Sequence, residues 1–169
     1  MNTTARTGGQ IFVDQLLIQG AKTIFCVPGE SFLSILDAVY SKKNLIKLIN
    51  ARHEAAASHM AEAYGKLQRK PGVVMVSRGP GACHASVGVH VAYQDSSPLI
   101  LIVGQVPQLF SDKESFQEID YKIMFKNITK AVLQIDDIRR IPEYISRAFT
   151  LSLSGRPGPV VISVPENIL

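Results

Sequence analysis

Three short stretches concentrate side chains that could do chemistry: Val27-Pro28-Gly29-Glu30-Ser31, Ala51-Arg52-His53-Glu54 and Ser77-Arg78-Gly79-Pro80-Gly81. Each sits between an apolar run of strand length and a helical pattern, where open α/β sheets place their ligands. In the third stretch Ser77 is expected to cap the next helix and Pro80 suits its first turn. The glycines there free backbone N–H groups for an anion. A strand-to-helix turn tuned only for geometry would look the same, and both readings stand. Glu54 heads a helix. A carboxylate there complements the helix dipole, worth ~0.3–1 kcal/mol, or acts as an acid–base group. Arg52 and His53 beside it read as solvated.

Several common sites are missing from the sequence. No Gly-x-Gly-x-x-Gly follows the first strand. There is no Walker-type phosphate loop, no His-Glu-x-x-His pair and no Gly-x-Ser-x-Gly elbow. Dinucleotide, nucleoside triphosphate, zinc-protease and α/β-hydrolase chemistry of those kinds is therefore unsupported. His53 and His59 are spaced poorly for sharing an ion on one helix, so no metal site is expected.

The elements that must position these residues follow from apolar periodicity. It predicts helices over 10–19, 32–40, 54–67, from the 77–81 turn to about 93, 117–125 and 138–154. Strands are expected over 23–27, 45–50, 73–76, 99–103, 131–135 and 160–164. Strands apolar on both faces and separated by helices mean a parallel sheet covered on both sides. The expected class is a doubly wound α/β fold, mainly parallel, with about six strands. Helices 54–67 and 81–93 are rich in Ala, Gly and Ser, which suits a tight helix–helix seam. Periodicity does not say whether that seam is within one chain or between two.

At 169 residues, the chain has the length of one ordinary domain. Its 18 basic residues against 14 acidic ones give only +4, and they are scattered, so no nucleic-acid partner is expected. No apolar run approaches the ~20 residues of a membrane span, so no membrane partner is expected either. The polar residues 1–6 lack the apolar segment of a signal peptide. Cys26 and Cys83 form no Cys-x-x-Cys pattern and read as reduced, mostly buried thiols of a cytoplasmic protein.

A family resemblance runs through nearly the whole chain. It is carried by Phe25-Cys26-Val27-Pro28-Gly29, Arg52-His53-Glu54, Met60-Ala61-Glu62-Ala63-Tyr64-Gly65, Gly79-Pro80-Gly81-Ala82 and Gln94-Asp95-Ser96-Ser97-Pro98-Leu99. Gly104-Gln105-Val106-Pro107, Phe116-Gln117-Glu118, Ile128-Thr129-Lys130 and Ser154-Gly155-Arg156-Pro157-Gly158-Pro159-Val160 continue it in the same order. Together they resemble the N-terminal pyrimidine-binding domain of thiamine diphosphate enzymes of the acetohydroxyacid synthase (acetolactate synthase) type.

The resemblance implies a flavodoxin-like domain and thiamine diphosphate as cofactor. It makes Glu54 the catalytic acid that relays a proton at a ring nitrogen of the cofactor's pyrimidine. Val27, Pro28, Gly29 and Glu30 fall on the turn that approaches the cofactor. Ser77, Pro80 and His84 fall near the pyrimidine side, which displaces the phosphate reading of that turn. Phe116, Gln117 and His84 fall on the substrate side, with Gln117 counted among the catalytic residues. The implied reaction is decarboxylation of a 2-keto acid with carbon–carbon bond formation or cleavage, transferase or lyase in type. The implied assembly is a homodimer or tetramer with the cofactor at the subunit interface. Mg2+ is expected on a C-terminal diphosphate-binding domain, and FAD only in a central domain. Neither domain is expected within residues 1–169, so the isolated chain is expected to be inactive. The synthases usually carry glycine where this chain has Glu30 and Thr-Asn where it has Cys83-His84. Two alternatives accompany this reading: a non-catalytic α/β interaction module, and a stand-alone subunit paired with a separate diphosphate-binding subunit.

Overall fold

A computed structural model describes residues 5–169; the first four of the polar residues 1–6 lie outside the described residues. Helix α1 (Gly8–Ile18) opens on a capping box in which the Thr7 hydroxyl accepts from Gln10 N and the Gln10 side chain accepts from Thr7 N. There follow β1 (Thr23–Cys26), α2 (Leu33–Ser41), β2 (Lys47–Asn50), α3 (Glu54–Gln68), β3 (Gly72–Val76) and α4 (Gly79–Gln94). The chain ends with β4 (Leu99–Gln105), α5 (Tyr121–Phe125), β5 (Ala131–Gln134), α6 (Ile141–Leu153) and β6 (Pro159–Pro165).

The strands form one six-stranded sheet in the order β2-β1-β3-β4-β6-β5, every neighbour parallel. The first four follow the flavodoxin-like winding 2-1-3-4. The far end departs from it, because β6 inserts between β4 and β5. Alternate residues of each strand serve opposite faces. Ile24, Cys26, Val73, Met75, Ile100 and Ile102 pack under α1, α2 and α6. Phe25, Val74, Val76, Leu101 and Val103 pack under α3, α4 and α5. This two-sided burial is what the uninterrupted apolar runs encode. The winding reverses between β1 and β3, so the carboxyl ends of those strands are a switch point, and both lead directly into candidate turns.

Five expectations need correction. Strand β2 is an exposed edge strand rather than a buried one, with Leu48 its only partly covered residue. The helix expected over 117–125 starts at Tyr121, because the Asp120 carboxylate caps it by accepting from Ile123 N and Gln117 sits at φ 64 in a loop. The helix expected over 138–154 begins as a 3-10 turn, Ile138–Arg140; Pro142 fits only the first turn of an α-helix and holds α6 to Ile141 onward. The thiol of Cys83, expected to be mostly buried, is exposed.

The fifth is the cap of α4. Arg78, not Ser77, occupies the cap position, and no side chain caps the helix. The α4 Gly79 N–H donates instead to the Gln117 carbonyl at 3.0 Å.

The small-residue seam is internal. A Cβ on Gly88 would fall 2.6 Å from Ser58 Cβ, so α3 and α4 touch nearly backbone to backbone. Several resemblance motifs have structural work at this end of the sheet and beyond. The Ser97 hydroxyl donates to buried Glu62 at 2.7 Å, and Arg156 donates to the Tyr93 and Gln94 carbonyls and to the Ser96 hydroxyl. No helix among the described residues is long and apolar enough to cross a membrane.

Candidate functional site

The first turn of α4 is the hub on which the candidate residues converge. Glu54 is the first residue of α3, held there by His53, whose Nδ1 accepts from Ala55 N at 3.2 Å and caps the helix. Arg52 and His53 are exposed as expected, but His53 has this specific duty. The Glu54 side chain is only 16% exposed. Its Oε1 would lie 3.6 Å from a Cβ placed on Gly81, so it rests against the bare backbone of α4. One turn on, His84 Nδ1 lies 3.0 Å from Glu54 Oε2. A carboxylate can only accept, so with Glu54 in that form the His84 Nδ1–H donates. Oε1 takes no hydrogen bond from any described residue, which leaves one oxygen fixed and one presented.

Of the expected cofactor turn, Gly29 fits where no larger residue would: a Cβ there would come within 2.6 Å of Ser77 Cβ. The Ser77 hydroxyl in turn meets buried Ser31 Oγ at 3.2 Å. The turns after β1 and β3 are thus packed as one surface, with Val27 half-buried and Pro28 and Pro80 exposed on it. Glu30 does not stand free. It accepts from Arg78 at 2.9 Å, and Arg78 donates on its other arm to Glu166 at 2.6 Å.

Arg78 received no role in the sequence reading. It is 8% exposed and ties the ends of β1, β3 and β6 together, while its Nε finds no partner among the described residues. The only local signal was an arginine placed just after a fully apolar strand, at the turn into α4.

Of the residues expected on the substrate side, His84 lies on α4, and Phe116 and Gln117 lie in the 106–120 segment between β4 and α5. Gln105 pins that loop: its amide donates to the Ile119 carbonyl, and its oxygen accepts from Val106 N. Glu118 accepts from the backbone N–H of Asp112 and Ser115. Gln117 reaches α4 through its backbone carbonyl. Its side chain is half-buried and forms no hydrogen bond with a described residue. Phe116 is 74% exposed and touches neither Glu54 nor His84 by any described bond. The structure therefore gathers Glu54, His84 and Gly81 closely, Gly29, Ser77 and Ser31 closely, and Gln117 only by its backbone.

His53, Glu54 and His84 bring three ligand-type atoms within 4.8 Å, a grouping hidden in the sequence because His53 caps α3 and His84 lies on α4. The His53 Nδ1 lone pair is committed to Ala55 N, so its proton sits on Nε2 and neither nitrogen is free to ligate. A mononuclear ion would have to break that cap.

Comparison with known proteins adds the following. Residues 6–124 match the family described as "Thiamine pyrophosphate enzyme, N-terminal TPP binding domain". The chain is 41% identical over 162 residues to the acetolactate synthase large subunit of Lactococcus lactis, covering 96% of this chain and 28% of that protein. It is 37% identical over 163 residues to the acetolactate synthase isozyme 3 large subunit of Escherichia coli, again 96% and 28%. To the mitochondrial acetolactate synthase catalytic subunit of Aspergillus candidus it is 39% identical over 163 residues, 96% of this chain and 23% of that one. The chain thus spans about a quarter of the length of these relatives.

Proposed function

Because this chain belongs to the thiamine pyrophosphate enzymes, in the family of their N-terminal TPP binding domain, we propose that it holds the pyrimidine end of thiamine diphosphate for an acetolactate synthase-like enzyme acting on 2-keto acids. The observation that carries this reading is Glu54: shielded, anchored through Oε2 by His84 and presenting Oε1 beside the bare backbone at Gly81. That arrangement fits the group. A flat ring needs one hydrogen-bonding carboxyl and a backbone without a side chain over it, as at Gly81, while the close Gly29–Ser77 contact fixes the neighbouring turn against it.

In this proposal Val27, Pro28, Gly29, Ser77 and Pro80 line the pyrimidine side, and Glu54 Oε1 gives and takes a proton at a ring nitrogen. When bound, thiamine diphosphate supplies the electron sink that lets a 2-keto acid lose carbon dioxide and make or break a carbon–carbon bond. Glu30 is held by Arg78, which it shares with Glu166, and so shapes the turn as part of an ion-paired cluster. Gln117, Phe116 and His84 face the substrate, and the unbonded Gln117 amide is the group available to it.

The diphosphate end, its Mg2+ and any FAD would be held outside residues 1–169, a division supported by the quarter-length match to the relatives. The cofactor would then lie between subunits of a homodimer or tetramer in the cytoplasm. Calorimetry tests the division. The 169-residue chain should bind thiamine diphosphate weakly or not at all, and tight Mg2+-dependent binding would overturn it. Product analysis after supplying pyruvate to the polypeptide that contains this domain tests the activity. Absence of carbon dioxide release with every 2-keto acid tried would overturn that.

A further inference from the structure

We propose that His84 is the route by which the shielded Glu54 carboxyl exchanges its proton with solvent. The inference rests on the acid–base role proposed for Glu54 and goes beyond it. A carboxyl that gives and takes a proton in every cycle must be reloaded, and at 16% exposure Glu54 has little direct access to water. His84 touches it at 3.0 Å through Nδ1 while its own side chain remains 53% exposed. An imidazole is the one side chain that can receive a proton on one nitrogen and release it from the other at neutral pH.

The surroundings select His84 over His53. The two rings stack at 4.6 Å between centroids with 31° between planes. His53 uses its Nδ1 lone pair for the α3 cap, so it is fixed in place and serves as a wall against which His84 is oriented. His53 and Glu54 from α3 and the backbone of α4 are the groups shown against the His84 ring, and no basic residue is shown paired with Glu54 among the described residues. Reloading breaks the Nδ1–H bond and forms an Oε2–H bond, while Nε2 takes a proton from a solvent hydronium; rotation of the carboxyl about its Cγ–Cδ bond then turns that O–H from the His84 side to the ring-nitrogen side. Unloading is the reverse: Oε2 returns the proton to Nδ1, and Nε2 releases its proton to water. Atoms and charge balance over the pair of steps.

Two measurements test the proposal. Nitrogen-15 NMR of the imidazoles in the 169-residue chain reports which ring nitrogen carries the proton. His84 should carry it on Nδ1 when neutral and move it to Nε2 in Glu54→Ala. A His84 already protonated on Nε2 would overturn the proposal. The second uses the polypeptide that contains this domain. His84→Asn can still donate to Glu54 but cannot pass a proton on, and His84→Ala leaves room for an added imidazole. Both should lower kcat by about a hundredfold or more, the low end of the range for a proton-transfer group. Added imidazole should restore His84→Ala and not His84→Asn. Wild-type kcat in His84→Asn, or no rescue of His84→Ala, would sink the relay while leaving the role of Glu54 intact. Wild-type turnover in Glu54→Gln would instead remove the role on which the relay rests.

Discussion

Gly88 of α4 lies directly on Ser58 of α3, so that a single added Cβ would come within 2.6 Å of Ser58 Cβ. Residues with side chains on both sides could not bring two helices this close, and the contact sets how near α4 stands to Glu54. Gly88→Val should therefore destabilise the chain by about 1–3 kcal/mol, the usual scale of overpacking, read as a lower urea midpoint. A variant as stable as wild type would show that the helices can part without penalty.

Glu54→Gln keeps the shape of the side chain and removes its proton chemistry. In the polypeptide that contains this domain, turnover should fall by about a hundredfold or more. Affinity for thiamine diphosphate should change far less than turnover. Steady-state kinetics at saturating cofactor measures the first and calorimetry the second.

Gly29 and Ser77 should behave as a pair. Gly29→Ala places a methyl 2.6 Å from Ser77 Cβ and should be destabilising, by about 1–3 kcal/mol. Ser77→Gly in the same chain removes the obstacle and should recover much of that loss. A double variant no more stable than Gly29→Ala would mean that the strain lies elsewhere in the turn.

Arg78 has two exposed partners and almost no exposure of its own. Glu30→Gln or Glu166→Gln alone leaves it one carboxylate, and each should be mild, as half-exposed ion pairs are. Together they strand a buried guanidinium whose Nε is already unpartnered. The double change should cost more than the sum of the singles by about 0.5–3 kcal/mol, the range of coupling within one charge network. Additive losses would show that Arg78 is hydrated in solution.

Burial pushes the Cys26 thiol up to about 12 from an ordinary 9.0. Folded Cys26 thus holds its proton over a range in which the unfolded chain has released it. Its contribution to stability is complete below pH 9, shrinks as pH rises and is gone above about 12. Tyr121 shifts the same way, chiefly by burial. Denaturation against pH should show stability falling above pH 9, with a shallower fall in Cys26→Ala. At pH 8 a thiol reagent should label exposed Cys83 and leave Cys26 untouched until the chain unfolds.

The parts of the fold that could be read from the sequence are those set by neighbours along the chain. Runs such as Val73-Val74-Met75-Val76 carry their own signature of a strand buried on both faces, and the structure buries all four. Strand β2 misled because Leu48 and Ile49 are as apolar as core residues. Edge position depends on strand order, which no local pattern states. The same limit governs the site. Glu54 and Gly81 were visible as single residues at helix starts, but the His84–Glu54 contact spans 30 positions and the Arg78–Glu166 pair spans 88. The supposed Ser77 cap failed for a related reason: its place is taken by the carbonyl of Gln117, supplied by a distant loop.

Strands β2 and β5, which close the two sides of the sheet, are four residues each, whereas β4 and β6 inside it run to seven. A free strand margin is a template for fibre growth, and its hazard scales with the length it offers. Here either margin offers a newcomer only four residues, and the one at β2 starts with a lysine. Edge-to-edge pairing of copies is therefore a poor route to growth.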